Sequence, residues 1–72
     1  MTVVYTKPNC VQCDQTKRML DKNGTEYTTI DITQDSEAYD KVVSMGFMSA
    51  PVVISGDQSW AGFQPDKINS LA

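Results

Sequence analysis

The sequence predicts an α/β fold in which a mixed sheet of four strands is covered by three helices, in the chain order βαβαββα. Two segments rich in β-branched residues alternate with two segments of helical periodicity, which favours parallel strands joined by a right-handed crossover. Near the carboxyl end, two short strand-like segments flank Gly56-Asp57, which predicts an antiparallel hairpin. Because only helices can cover the faces of this mixed sheet, we expect two or three layers.

The first half of the chain predicts a strand, a helix and a second strand. Residues 2–6 are mostly β-branched or aromatic, as in a buried strand. Asn9 is a suitable N-cap for a helix over residues 11–23, and Gly24 suits the position after that helix. Apolar and polar residues then alternate over residues 26–32, which predicts the second strand.

A second helix is predicted after the second strand. Asp35 or Ser36 can cap its beginning, and Gly46 is suited to end it. Its apolar residues recur at helical spacing with two more beside them, namely Ala38, Val42 and Met45 with Tyr39 and Val43. We interpret this stripe as core packing and not as a cofactor site.

The last third of the chain predicts the hairpin and a short helix. Residues 52–54 form the first strand of the hairpin, and residues 58–60 form the second. Pro65 suits the first position of a helix, where a backbone N–H is not needed. Ile68 and Leu71 then supply the face of this helix that turns towards the core.

Charge and composition exclude several classes of function. The net charge is −3 and the lysines are scattered, whereas nucleic acid selects clustered Lys and Arg. No run approaches the ~18 apolar residues of a membrane span, and the N-terminus lacks the layout of a secretory signal. We find no repeat or linker, so residues 1–72 are expected to form one domain, in the thiol-reducing cytoplasm.

The two cysteines of the chain, Cys10 and Cys13, lie three positions apart at the start of the first helix. One helical turn places such residues side by side, within the ~4.4–6.8 Å between Cα atoms that a disulfide tolerates. A disulfide across so short a loop restricts the unfolded chain little. The bond would therefore add little stability, and it suits a reversible redox role.

Zinc binding is the main alternative for two cysteines at this spacing. Structural zinc takes four Cys or His ligands, and this chain has two cysteines and no histidine. A zinc site within one chain is therefore nearly excluded. A metal ion shared between two chains and a pair of inert buried thiols both stay open at this point.

Cys10 is the candidate nucleophile of the pair. A thiolate attacks disulfides, and the unpaired N–H groups and positive dipole at the helix N-terminus favour negative charge on Cys10. Cys13 lies one turn deeper and is expected to resolve the mixed disulfide. Lys7 would add positive potential near Cys10, or it is simply a solvated lysine. Met48 has a flexible thioether that suits an adaptable docking surface.

Three features together resemble the thioredoxin fold in its minimal glutaredoxin form. They are the element order, Cys10-Val11-Gln12-Cys13 after the first strand, and Ser49-Ala50-Pro51-Val52-Val53 before the third. The cysteine segment with Trp60-Ala61-Gly62-Phe63-Gln64-Pro65-Asp66 also resembles the NrdH-redoxins, glutaredoxin-like proteins that behave as thioredoxins. The resemblance covers essentially the whole chain.

The resemblance implies a dithiol-disulfide oxidoreductase that donates electrons to class Ib ribonucleotide reductase, at its large subunit, and is reduced by thioredoxin reductase. It implies a monomer with no bound cofactor and no metal. It also implies a cis peptide bond before Pro51, which would face both sulfurs; an ordinary trans proline opening a strand is the alternative. Partner contacts are expected from Lys7, Val11, Gln12, Met48, Ala50 and Pro51, and scaffold roles from Trp60, Gly62, Phe63, Pro65 and Asp66. For Trp60, a partner contact is the alternative.

The segment after the last strand bears on the choice of reductant. Glutaredoxins that hold glutathione resemble one another there in a Gly-Gly-x-Asp-Asp stretch, and this chain has Ala61-Gly62-Phe63-Gln64-Pro65-Asp66. One acid and one glycine are missing, so glutathione would lose partners for its amino group. The alternatives are a glutathione-dependent glutaredoxin and an iron–sulfur cluster carrier that uses Cys10 of two chains, in which Cys13 would be superfluous.

Overall fold

Four strands and three helices make up the structure, a computed structural model that describes residues 1–71. In chain order they are β1 (Thr2–Thr6), α1 (Val11–Lys22), β2 (Thr28–Asp31), α2 (Ser36–Ser44), β3 (Val52–Ser55), β4 (Gln58–Ala61) and α3 (Pro65–Asn69). The predicted order βαβαββα is confirmed. Over residues 1–71, no helix has the length and apolar character needed to cross a membrane.

The strands form one mixed sheet in the order β2-β1-β3-β4. Strand β1 pairs in parallel with β2, where Val4 lies opposite Thr29, and antiparallel with β3, where Val4 lies opposite Val53. Strands β3 and β4 form the predicted hairpin, with Val53 opposite Trp60. The sheet therefore combines the parallel crossover and the antiparallel hairpin that the sequence predicts.

A hydrophobic cluster packs on each face of the sheet. Val4 and Tyr5 are neighbours on β1, and successive side chains of a strand point to opposite faces. Val4 packs with residues of β3, β4 and the helices α1 and α3, which are Val53, Trp60, Leu20 and Ile68. Tyr5 packs with residues of α2 and β3, which are Ala38, Val42 and Val52. Helices therefore cover both faces, and of the two predicted arrangements the molecule adopts the three-layer one.

The beginning of α1 differs from the prediction. Cys10 is the N-cap and not Asn9, because the Sγ of Cys10 accepts a hydrogen bond from the backbone N–H of Cys13 at 3.1 Å. Asn9 has a φ of 57°, in the left-handed region that Asn tolerates better than most residues. Asn9 thus shapes the turn after β1, and the candidate nucleophile itself occupies the cap.

Two further details of the prediction are wrong. Strand β2 begins at Thr28 and not at residue 26, because its pairing with β1 starts where Thr28 lies opposite Val3. Tyr27 lies just before the strand, packs against the cluster of Val4 and donates its hydroxyl to Asp21. The apolar stripe of α2 is narrower than predicted, since Met45 is the C-cap of the helix and is 41% exposed. At the other end of α2, Oδ1 of Asp35 accepts from the N–H of Ala38, so this N-cap prediction is confirmed.

Candidate functional site

Cys10 and Cys13 form a disulfide at the N-terminus of α1. Their Cα atoms are 5.2 Å apart, so a single helical turn accommodates the bond. Cys10 is 9% exposed, whereas Cys13 is 1% exposed. An attacking or receiving sulfur of another protein can therefore approach Cys10, while Cys13 is shielded by its own chain.

The backbone around Cys10 favours negative charge on its sulfur. The N–H of Cys13 points at the Sγ of Cys10, and the carbonyl of Cys10 accepts from the N–H of Asp14 at 3.2 Å as α1 begins. When the disulfide is reduced, the same N–H and the positive end of the helix dipole remain next to Cys10. Cys13 lies one turn further along α1, away from the positive end of the helix dipole. The geometry thus distinguishes the two sulfurs.

Pro51 follows the loop between α2 and β3. The Ala50–Pro51 peptide bond is cis, as the resemblance implies. Pro51 is buried, and its carbonyl accepts a hydrogen bond from the N–H of Gly62 at 2.8 Å. The loop before α3 is thereby joined to the segment that enters β3.

Gln12 lies between the two cysteines and also contacts the loop before α3. Its Oε1 accepts a hydrogen bond from the N–H of Phe63 at 3.2 Å. Gly62 has a φ of 83°, and a Cβ on it would come 3.5 Å from the same oxygen. Gln12 is predicted as a partner contact, and the structure shows its side-chain oxygen already engaged within the chain. The sequence contains no local signal for this long-range pair.

A groove of about 300 Å³ brings together three of the predicted partner-contact residues, Lys7, Met48 and Ala50. Met48 is 86% exposed at its rim. Tyr39 and Val43 also line the groove, although the sequence predicts them only as core residues of α2. Tyr39 and Val43 lie at the edge of the buried stripe of α2, and this edge position is the sequence signal that could have predicted their exposure to the groove. Val11 does not line this groove and lies exposed at the first position of α1.

The predicted scaffold residues lie on the side of the sheet that α1 and α3 cover. Trp60 is buried in the cluster of Val4, and Phe63 packs against that cluster. Pro65 is the first residue of α3 and Asp66 lies in its first turn. Thr16, which the sequence does not predict as a site residue, is fully buried and donates from its Oγ1 to the carbonyl of Gln12 at 2.8 Å.

The comparisons with known proteins agree with this geometry. The sequence model of the glutaredoxin family matches residues 2–60. The glutaredoxin-like protein NrdH of Salmonella typhimurium is 44% identical over 68 residues, which cover 94% of this chain and 84% of the relative. The NrdH protein of Lactococcus lactis is 38% identical over 72 residues, which cover 100% of both chains.

A solved structure supports the same assignment. The glutaredoxin-like NrdH-redoxin from Escherichia coli, described as having a thioredoxin-like activity profile, superposes with a TM-score of 0.96 at 42% identity. The match covers 99% of this chain and 93% of that one. The thioredoxin fold is therefore shown together with the cysteine pair. The chain belongs to the glutaredoxin family, among the glutaredoxin-like NrdH proteins, and it is a thiol-disulfide oxidoreductase with a Cys10–Cys13 disulfide.

Proposed function

We propose that this protein is a dithiol electron carrier that reduces class Ib ribonucleotide reductase and is itself reduced by thioredoxin reductase. The observation that supports it most directly is the disulfide at the start of α1, with Cys10 at the helix cap and Cys13 behind it. The similarity to NrdH proteins over nearly the whole chain supports the choice of ribonucleotide reductase as the electron acceptor.

The reaction begins with the reduced protein. The thiolate of Cys10 attacks one sulfur of the partner's disulfide, so that a mixed disulfide forms and the partner's other sulfur leaves as a thiolate. Cys13 then gives up its proton and attacks the Sγ of Cys10. This closes the Cys10–Cys13 bond, breaks the mixed disulfide and releases the second partner thiol. Two electrons have passed to the partner, and thioredoxin reductase returns two electrons to the carrier.

The residues before α3 favour thioredoxin reductase over glutathione as the reductant. A bound glutathione needs several charge partners, because each exposed ion pair contributes only ~0.2–1 kcal/mol. Asp66 is the single acid between residues 61 and 66. The N–H groups of Gly62 and Phe63 are also engaged, by Pro51 and Gln12, and so are not free to bind a tripeptide.

A comparison of reductants tests the proposal. The oxidised protein is mixed with NADPH and thioredoxin reductase, or with NADPH, glutathione and glutathione reductase, and NADPH oxidation is followed. We expect saturable turnover at low micromolar protein in the first assay and slow turnover in the second. Class Ib ribonucleotide reductase added to the first assay should then form deoxyribonucleotides. Rapid, saturable reduction by glutathione would assign the protein to the glutathione-dependent glutaredoxins.

A further inference from the structure

A second groove lies between α1 and α3, on the face of the sheet opposite to α2. It measures about 390 Å³. Gln15, Arg18, Met19 and Lys22 of α1 line it together with Phe63 before α3 and Asn69 at the end of α3. None of the residues predicted as partner contacts lines this groove.

Positive charge is unopposed in this groove, although the whole protein is acidic. The net charge of the chain is −3, yet Arg18 and Lys22 line the groove and no Asp or Glu of residues 1–71 does. The ion pair of α1 joins Lys17 to Asp14, and neither Arg18 nor Lys22 has an ion-pair partner in the part of the chain that the structure describes. Both cations are exposed and free to meet an anion.

The groove follows α1 from Gln15 onwards, and Phe63 links it to the cysteine turn. Phe63, at one end, donates its N–H to the Gln12 side chain between the two cysteines. Lys22, the last residue of α1, and the C-cap Asn23 line the other end of the groove. The helical rise of 1.5 Å per residue places Lys22 about 15 Å along the axis from Gln12. An extended chain of about four or five residues spans that length at roughly 3.3 Å per residue.

We propose that this groove binds an acidic, extended segment of the protein whose disulfide Cys10 attacks. Its carboxylates lie beside Arg18 and Lys22, and an apolar side chain packs against Met19 and Phe63. This inference rests on the proposed function, because the docked segment belongs to the protein substrate. Opposite charges on the two surfaces speed encounter, and a few exposed ion pairs keep the complex weak. Both properties suit a carrier that must release its partner after each transfer.

Peptide titrations followed by NMR test this proposal on the oxidised, ¹⁵N-labelled protein. The probe is a capped peptide of alternating Glu and Leu, and the matched probe has Gln in place of each Glu. We expect the acidic peptide to shift the amide signals of residues 15–22 and 63–69, with a Kd that rises with salt. The Gln peptide should bind at least about three-fold more weakly.

Substitutions of the lysines and the arginine test which cations bind the acidic peptide. Arg18→Gln combined with Lys22→Gln should raise the Kd of the acidic peptide about three-fold or more, because both ion pairs are lost. Lys41→Gln removes an exposed cation on the other face, near the ring of Tyr5, and should leave the Kd unchanged. Equal binding of the two peptides, no binding, or shifts confined to the groove of Lys7 and Met48 would overturn the proposal.

The two proposals fail in different experiments. The peptides contain no cysteine, so their binding does not depend on electron transfer. The reductant comparison, in turn, does not depend on the groove between α1 and α3. If the protein binds the acidic peptide but is reduced rapidly by glutathione, the proposed reductant is wrong and the docking proposal stands. If thioredoxin reductase is the reductant but no peptide binds, the docking proposal is wrong and the proposed reductant stands.

Discussion

Phe63 and Gln12 are separated by 51 positions in the sequence, yet the N–H of Phe63 donates a hydrogen bond to the Gln12 side chain. The preceding N–H, that of Gly62, donates to the carbonyl of Pro51. Two successive N–H groups therefore hold the loop before α3 against both the cysteine turn and the segment that enters β3. The loop lies within residues 61–66, and this segment is therefore hydrogen-bonded to the turn that carries the two cysteines.

Replacing Gln12 with Ala should lower the free energy of unfolding by about 0.5–1.5 kcal/mol, because the N–H of Phe63 loses its protein acceptor. The bond is partly open to water, so the lower end of that range is expected. Gln15→Ala is the matched control on the same helix, since its side chain makes no hydrogen bond within residues 1–71. Urea unfolding of the oxidised variants gives both values. Equal losses would show that the Gln12 contact contributes nothing to stability.

The two cysteines should behave differently when each is replaced by Ser. Cys13→Ser should accumulate a mixed disulfide with a protein substrate, because Cys10 still attacks and nothing resolves the product. Cys10→Ser should accumulate none, since Cys13 is almost fully buried. Non-reducing gels and intact-mass measurements detect the adduct. An adduct found with Cys10→Ser alone would reverse the two roles.

Local signals explain why the order of the elements could be predicted. The β-branched residues of β1, the stop at Gly24 and the turn at Gly56-Asp57 each act within a few residues. The cap of α1 could not be predicted in this way. Asn9 and Cys10 are both able to occupy a cap, and the left-handed turn at Asn9 decides between them.

Long-range contacts explain what the sequence could not predict about the site. The cysteine pair is recognisable because its spacing alone makes a disulfide feasible. The partner of Gln12 depends instead on how β4 and α3 pack against α1, which no local pattern reveals. The groove between α1 and α3 could not be predicted for the same reason, because its lining residues come from α1, from the loop before α3 and from the end of α3.

Tyr27 should contribute to a loss of stability at high pH. Burial first, and then the hydrogen bond and the negative charge of Asp21, raise the pKa of Tyr27 above its ordinary value of 10.0. Below pH 10 the folded and unfolded chains both keep the proton, and the stability from this group is fully present. Above pH 10 the unfolded chain loses the proton first, so that stability falls as the pH rises through the folded pKa.

Tyr27→Phe should remove this part of the alkaline loss, which urea unfolding at a series of pH values above 9 can measure. Tyr39→Phe is the control, since Tyr39 is half exposed and its hydroxyl has no partner within the described residues. Absorbance at the phenolate band gives an independent check, because the difference between the wild type and Tyr27→Phe reports the midpoint of Tyr27. A midpoint at or below 10.0 would contradict the effect of Asp21 and burial.

Ile68 should be the residue that holds α3 on the sheet. The helix has 5 residues and no side-chain N-cap, and isolated helices shorter than about 12–15 residues are marginal in water. Ile68 is fully buried in the cluster with Leu20, Val53 and Trp60. Packing, and not intrinsic helix stability, therefore keeps α3 in place.

Ile68→Ala should lower the free energy of unfolding by about 2–5 kcal/mol, since it removes buried methyl groups and leaves a cavity. Ile68→Val should cost about 0.5–1.5 kcal/mol because only one methyl group is lost. Lys67→Ala changes an exposed neighbour in the same helix and should stay within about 0.5 kcal/mol. Fluorescence of Trp60, which lies in the same cluster, follows unfolding in each variant. If Ile68→Ala costs no more than Ile68→Val, another contact must anchor α3.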